Sequence, residues 1–248
     1  MKRVKILSAF GLLAVASAAN ADVSSTWTFA TDYNFRGISQ NSKEPVLQGS
    51  LDYAHESGAY AGLWLSTVSF ENNGGSQTNP NSQEYFHLER DVYAGLSEKL
   101  GSDLTLDLGG KYYTYNTNKL NHGEAYVSLA YKSLVKAKFS YSPNFMSGGN
   151  TAVSKPAYAA SVDAAVPLPG NFSLLVQAGY NWGDYWDIKP LREYMDYSAG
   201  FGYTLGKVDL SAKYVNTNTT MAKGNRVTVD NLNNAERAVL SMTTKFPW

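Results

Sequence analysis

Residues 103–114 read DLTLDLGGKYYT, and this stretch decides the fold. Leu104, Leu106, Leu108 and Tyr112 fall on one face of an extended chain, with Thr105, Asp107, Gly109 and Lys111 on the other. Successive side chains of a strand point to opposite faces, so this period of two marks a strand with one apolar and one polar face. No helical period competes with it.

The same period recurs along the chain. Trp27, Phe29, Tyr33 and Phe35 form such a row, as do Leu47, Leu51 and Tyr53, then Ala125, Val127, Leu129 and Tyr131, then Val135, Ala137, Phe139 and Tyr141. Later rows begin at Tyr158, Phe172, Met195, Val208 and Ala238. Two more segments, around Tyr60 to Phe70 and Phe86 to Leu96, are strand-like with their phase left open. The expected total is twelve strands.

The connections alternate in length. HESGAY, SEKLGSD, YKSL, VPLPGN and TLGK are short turns rich in Gly, Pro, Ser and Asp. Between them lie longer, mostly polar segments such as ENNGGSQTNPNSQE and SPNFMSGGNTAVSKPA. An even strand count, short turns at one end and long loops at the other predict an all-β, transmembrane, antiparallel up-and-down barrel of the bacterial outer membrane, with both termini at the periplasmic end. A soluble lipocalin-like barrel or a periplasmic sandwich would turn the apolar rows inward instead. Against it stand the aromatic residues gathered at strand ends, where interfacial girdles belong, and a polar face too charged to make a dry core.

The two ends of the sequence fit an exported barrel. Met1 to Ala21 combines Lys2, Arg3 and Lys5, an apolar stretch around Phe10 to Ala16 and the small-residue site Ala19-Asn20-Ala21, which predicts a signal peptide over residues 1–21 and a barrel domain over 22–248. Without those three basic residues the 21 Lys and Arg fall to 18 against 21 Asp and Glu, so the exported chain is mildly acidic and nucleic acid is excluded as a partner. Cysteine is absent. At the other end, Leu240, Met242, Phe246 and Trp248 share one face, which predicts a closing strand whose aromatic end is read by the barrel-assembly machinery. Pro247 cannot donate to a ladder and is expected at the extreme end of that strand.

TDYNFRGISQ at 31–40, LDYAHESGAYAGLW at 51–64 and DVYAGLSEKLGSDLTLDLGGKYYTY at 91–115 resemble the TorF-like family of porins. The similarity is dense over the first half of residues 22–248 and thinner afterwards. It implies an exported barrel of proteobacterial type; it implies no substrate, and it carries over no catalytic residue.

Twelve strands give a backbone diameter of roughly 24 Å, between filled eight-stranded barrels and open sixteen-stranded ones. The polar face then decides what passes. It is predicted to line the pore with Arg36, Lys111, Lys136, Lys138, Lys213 and Arg237 against Asp52, Asp91, Asp107, Glu124, Asp163, Asp196 and Asp209, with Asp32, Glu89 and Lys245 in the same phase. A mixed set fits either a narrow polar channel or an interior closed by salt bridges, whereas a ring of one sign would have predicted ion selectivity. FRGISQ is expected to end the first strand and open a loop, with Arg36 near the outer mouth pairing with a carboxylate or meeting an anionic solute. Arg90 falls on the lipid-facing phase, so either it lies near an interface or a bulge shifts the phase there.

An enzyme is not expected. Of His55, His87 and His122, only HESG at 55–58 looks like a site, and it lies in a predicted periplasmic turn. His87 with Glu89 and Asp91 is too common a pattern to assign a metal, and no cofactor is expected. The expected task is passive, weakly selective diffusion of small polar solutes, and the alternative is a non-conducting barrel with a structural or surface-interaction role. Outer-membrane lipid and lipopolysaccharide are the expected surroundings, with Trp182, Tyr185 and Trp186 in loop five and the Thr cluster of loop six as candidate contacts.

Overall fold

The computed structural model describes residues 21–69, 87–115, 120–147, 154–187, 192–218 and 234–247. The expected signal peptide, apart from Ala21, and Trp248 lie outside these residues. Fourteen strands run β1 (Ala21–Ala30), β2 (Asn34–Phe35), β3 (Ile38–Ser39), β4 (Val46–His55), β5 (Ala59–Val68), β6 (His87–Leu100), β7 (Leu104–Tyr115), β8 (His122–Tyr131), β9 (Val135–Ser142), β10 (Ala157–Pro167), β11 (Phe172–Trp182), β12 (Tyr194–Leu205), β13 (Val208–Thr217) and β14 (Arg237–Phe246). Twelve of them close into one antiparallel barrel in chain order, sealed where β1 pairs with β14 on one side and β4 on the other. The remaining two, β2 and β3, make a separate two-stranded hairpin between β1 and β4.

The alternation read from the sequence sets the faces. Leu104 and Leu108 of β7 are exposed while Lys111 and Tyr113 are covered, and the same inversion holds around the barrel: Leu96 and Phe201 are each 57 % exposed. An exposed belt of Leu, Val, Phe and Tyr encircles the molecule, and it suits a hydrocarbon surrounding rather than water. Among the described residues no helix is long and apolar enough to cross a membrane.

The two uncertain segments take definite phases. In β5, Leu63 and Leu65 face out; in β6, Val92 and Leu96 do. Arg90 is exposed in phase with Val92, and the pairing of β6 runs past it without a break, Leu65 on one side and Thr114 on the other. There is no bulge. Arg90 stands three residues from the long-loop end of its strand, where its long side chain can reach a polar interface.

One expectation is corrected. Tyr33 and Phe35 do not continue the outward row of Trp27 and Phe29, and FRGISQ does not end the first strand. The chain leaves the barrel ladder after Ala30, Thr31 making its last bond to Leu240 O at 2.9 Å, and then folds into the interior as β2 and β3.

Candidate functional site

The hairpin turns on Arg36 and Gly37, whose φ angles are +51° and +81°. Two successive left-handed residues make the tight turn that matches strand twist, where Asn-Gly is the usual pair. An arginine there is strained, and its contacts show what holds it. Its guanidinium reaches Glu124 on β8, and its carbonyl accepts the Tyr194 hydroxyl of β12 at 2.9 Å. Gly37 presses on the other wall: a β-carbon on it would run into the Thr217 methyl group and the Asp196 β-carbon.

Arg237 of β14 clamps the base of the hairpin. It donates to the Asp32 carboxylate, to Gly37 O at 3.0 Å and to Asn34 Oδ1 at 2.9 Å, while Ser39 Oγ donates to Asp32 as well. Phe35 is a wedge between two apolar clusters. One is Phe145, Ala157, Trp186 and Tyr194; the other is Val68, Tyr113 and Tyr115, against which Tyr33 also packs. From one loop, the hairpin thus touches the walls at β5 to β8 and at β12 to β14.

The β8 to β13 side of the interior is different. Against the hairpin lies a cavity of about 370 Å³ whose wall carries Arg36, Lys111, Lys138 and Lys213 together with Asp163 and Asp196. Of the thirteen residues expected to line a pore, Arg36, Lys111, Lys138, Asp163, Asp196 and Lys213 border this cavity, and the other seven do not. Lys111 pairs with Asp91 at 3.5 Å, and Lys138 stands 3.7 Å from Glu124 while its ammonium lies 4.3 Å over the Tyr126 ring. Asp196 accepts Gln177 and Asn181 amides, both at 2.7 Å, and Asp163 accepts Ser161 at 3.4 Å across the ladder from Lys136. Asp52 accepts the Tyr93 hydroxyl, Asp107 accepts Tyr60 at 2.6 Å, and Asp209 accepts Thr204 at 2.7 Å at the rim.

Sequence reasoning missed the tyrosine wall. Tyr93, Tyr60 and Tyr126 are the direct cross-strand partners of Gly62, Gly95 and Gly109, and each ring lies flat over its glycine. A β-carbon at any of the three would meet the ring. The signal was glycine in the inward phase of three adjacent strands, and it becomes readable only with the register in hand.

The histidines lie apart from this geometry. His55 Nδ1 is 2.8 Å from Ser57 Oγ in an exposed short turn, and His122 is fully buried, bonded to Leu120 O at 2.8 Å and stacked on Tyr113 at 4.5 Å. The side chain of His87 lies outside the described residues. Among the described residues no group of three or more His, Cys, Asp or Glu is arranged to hold a metal.

A barrel of this kind, with these residues, matches one family over nearly its whole length: the model described as "Bacterial protein of unknown function (Gcw_chp)" covers residues 14–246. The chain belongs to the Gcw_chp family. That description, and not the TorF-like one, is what the match carries. Among the solved structures that share the Gcw_chp chain's fold are two porins. The KdgM porin is 8 % identical with a TM-score of 0.53, covering 91 % of this chain and 99 % of its own. The NanC porin is 9 % identical with a TM-score of 0.54, covering 92 % and 100 %. KdgM has also been solved in complex with disordered oligogalacturonate. A search of curated proteins finds no match.

Proposed function

We propose that this Gcw_chp protein is a porin of the bacterial outer membrane that passes small polar solutes by weakly selective diffusion, with the hairpin β2–β3 as its constriction. One observation carries the reading: a polar cavity with charges of both signs lies against a hairpin that contacts opposite walls of the barrel. The exposed apolar belt supports a lipid surrounding, with lipopolysaccharide at the long-loop end and the short turns in the periplasm. The last strand, ending at Phe246, supports delivery through the barrel-assembly machinery. The thirteen charged residues named from the sequence are assigned the pore lining on this reading. No catalytic role goes with it, because neither described histidine stands beside a nucleophile at the outer rim.

A second reading, a non-conducting barrel, is favoured by the packing of Phe35 against two apolar clusters of the wall. Planar-bilayer recording separates the two. The expected result is small discrete conductance steps from the intact chain and steps several-fold larger when residues 34–39 are replaced by a short Gly-Ser link. Insertion of both proteins without any discrete step would exclude a pore.

A further inference from the structure

The ion pairs of the interior leave charged side chains over. Arg237 holds Asp32, Lys111 holds Asp91, and Glu124 lies between Arg36 and Lys138. Asp52 of β4, Asp107 of β7, Lys136 of β9 and Lys213 of β13 make no ion pair among the described residues. The two carboxylates accept only hydroxyls, Asp52 from Tyr93 and from Ser50 at 2.7 Å, Asp107 from Tyr60 at 2.6 Å. None of the four is buried, and each points inward, because the neighbours Leu51, Leu108, Val135 and Tyr214 are exposed on the outer face.

Their places in the ring set the two signs apart. In the closed order of twelve strands, β7 and β13 stand six apart, on opposite walls, and β4 and β9 stand five apart. The free carboxylates belong to the arc from β4 to β7, and the free ammonium groups to the arc from β9 to β13. Asp163 of β10 lies in the second arc, across the ladder from Lys136, and is offset there by Lys138, which with Arg36 outnumbers Glu124. Asp196 is buried against two amides and Glu89 against two tyrosine hydroxyls. At the short-turn rim Lys99, Asp209 and Lys245 are exposed and of both signs, so salt screens them.

Opposite charges on facing walls of low dielectric produce a field across the passage. A solute with a single charge gains at one wall and loses at the other. A solute that carries both signs, turned across the passage, gains at both. We propose that this polarity makes small zwitterions, free amino acids among them, the preferred solutes of the barrel. The inference rests on the porin reading above and names its substrate class.

Alanine and lactamide are isomers, the first a zwitterion at neutral pH and the second uncharged. Uptake into vesicles holding the intact protein, less that of protein-free vesicles, is expected to be several-fold faster for alanine. Asp52→Asn with Asp107→Asn, or Lys136→Met with Lys213→Met, should bring the two rates together, while unchanged lactamide uptake shows that the barrel is folded and open. Exchanging the walls, with Asp52→Lys, Asp107→Lys, Lys136→Asp and Lys213→Asp in one protein, should restore the alanine preference, because the solute has only to turn round. A merely structural role of these residues would not be restored in this way. Equal rates in the unaltered protein, a preference that survives in both double variants, or no restoration in an exchanged barrel that still passes lactamide would overturn the proposal and leave the pore standing. Inserted protein that passes neither solute would sink the pore, and the proposal with it.

Discussion

Gly37 is where the hairpin meets the far wall, and it has no room for a side chain. Its left-handed φ and the Thr217 and Asp196 atoms facing it both oppose a β-carbon. Gly37→Ala is expected to destabilise the seated hairpin by about 1–3 kcal/mol. The check is limited proteolysis: cleavage within residues 31–45 should quicken while the barrel stays intact on a heat-modifiability gel. An unchanged cleavage rate would mean that the tip is not held where the geometry puts it. Arg36 was legible in the sequence as an interior cation with a carboxylate partner, but the inward course of Tyr33 and Phe35 was not. Alternation marks opposite faces of an extended chain and does not mark where the ladder stops, so a row that begins with Trp27 and Phe29 runs on past Ala30 without a visible break. The turn was hidden for a related reason, since arginine is not a residue that advertises a left-handed backbone.

Among elements, the neighbouring strands β4 to β8 carry the tyrosine wall, and its openness depends on small residues. Tyr93 can lie flat and reach Asp52 because Gly62 opposite it has no side chain. Gly62→Val is expected to swing that ring further into the lumen, lowering the conductance step about twofold while costing roughly 1–3 kcal/mol in stability. Unchanged conductance in a folded variant would count against the tyrosine wall as part of the route. The outer face makes the complementary prediction. Leu108, 48 % exposed near the middle of β7, should be intolerant of charge, and Leu108→Arg should lower stability in lipid vesicles by about 2–4 kcal/mol, read from the urea midpoint of unfolding. Arg90 shows the contrast, since it occupies the same outward phase close to a rim. Strand number and the long–short rhythm of the connections were legible because both are local, written in side-chain period and turn chemistry. The matching of Gly62, Gly95 and Gly109 to their tyrosines was not, because it depends on which strand lies beside which and in what register.

At the scale of the whole molecule, charge is distributed so that neither sign dominates the interior. Arg237 faces Asp32, Lys111 faces Asp91, and Arg36 and Lys138 share Glu124. A salt gradient of potassium chloride across a bilayer should therefore give a reversal potential near zero. The double variant Lys138→Glu, Lys213→Glu should move it toward cation preference, because both side chains border the cavity. A strong preference in the unaltered protein would contradict weak selectivity. The sequence supplied the mixed inventory of charges, yet it did not distinguish an open polar channel from an interior closed by salt bridges. The structure places paired charges around the hairpin and a polar cavity against it, because a single loop folds into the barrel.

A hairpin that enters from one mouth makes the two directions of travel inequivalent. A stopper hinged at one rim and carrying Arg36 at its tip would be pushed inward by one polarity of voltage and drawn outward by the other, so the protein should rectify current.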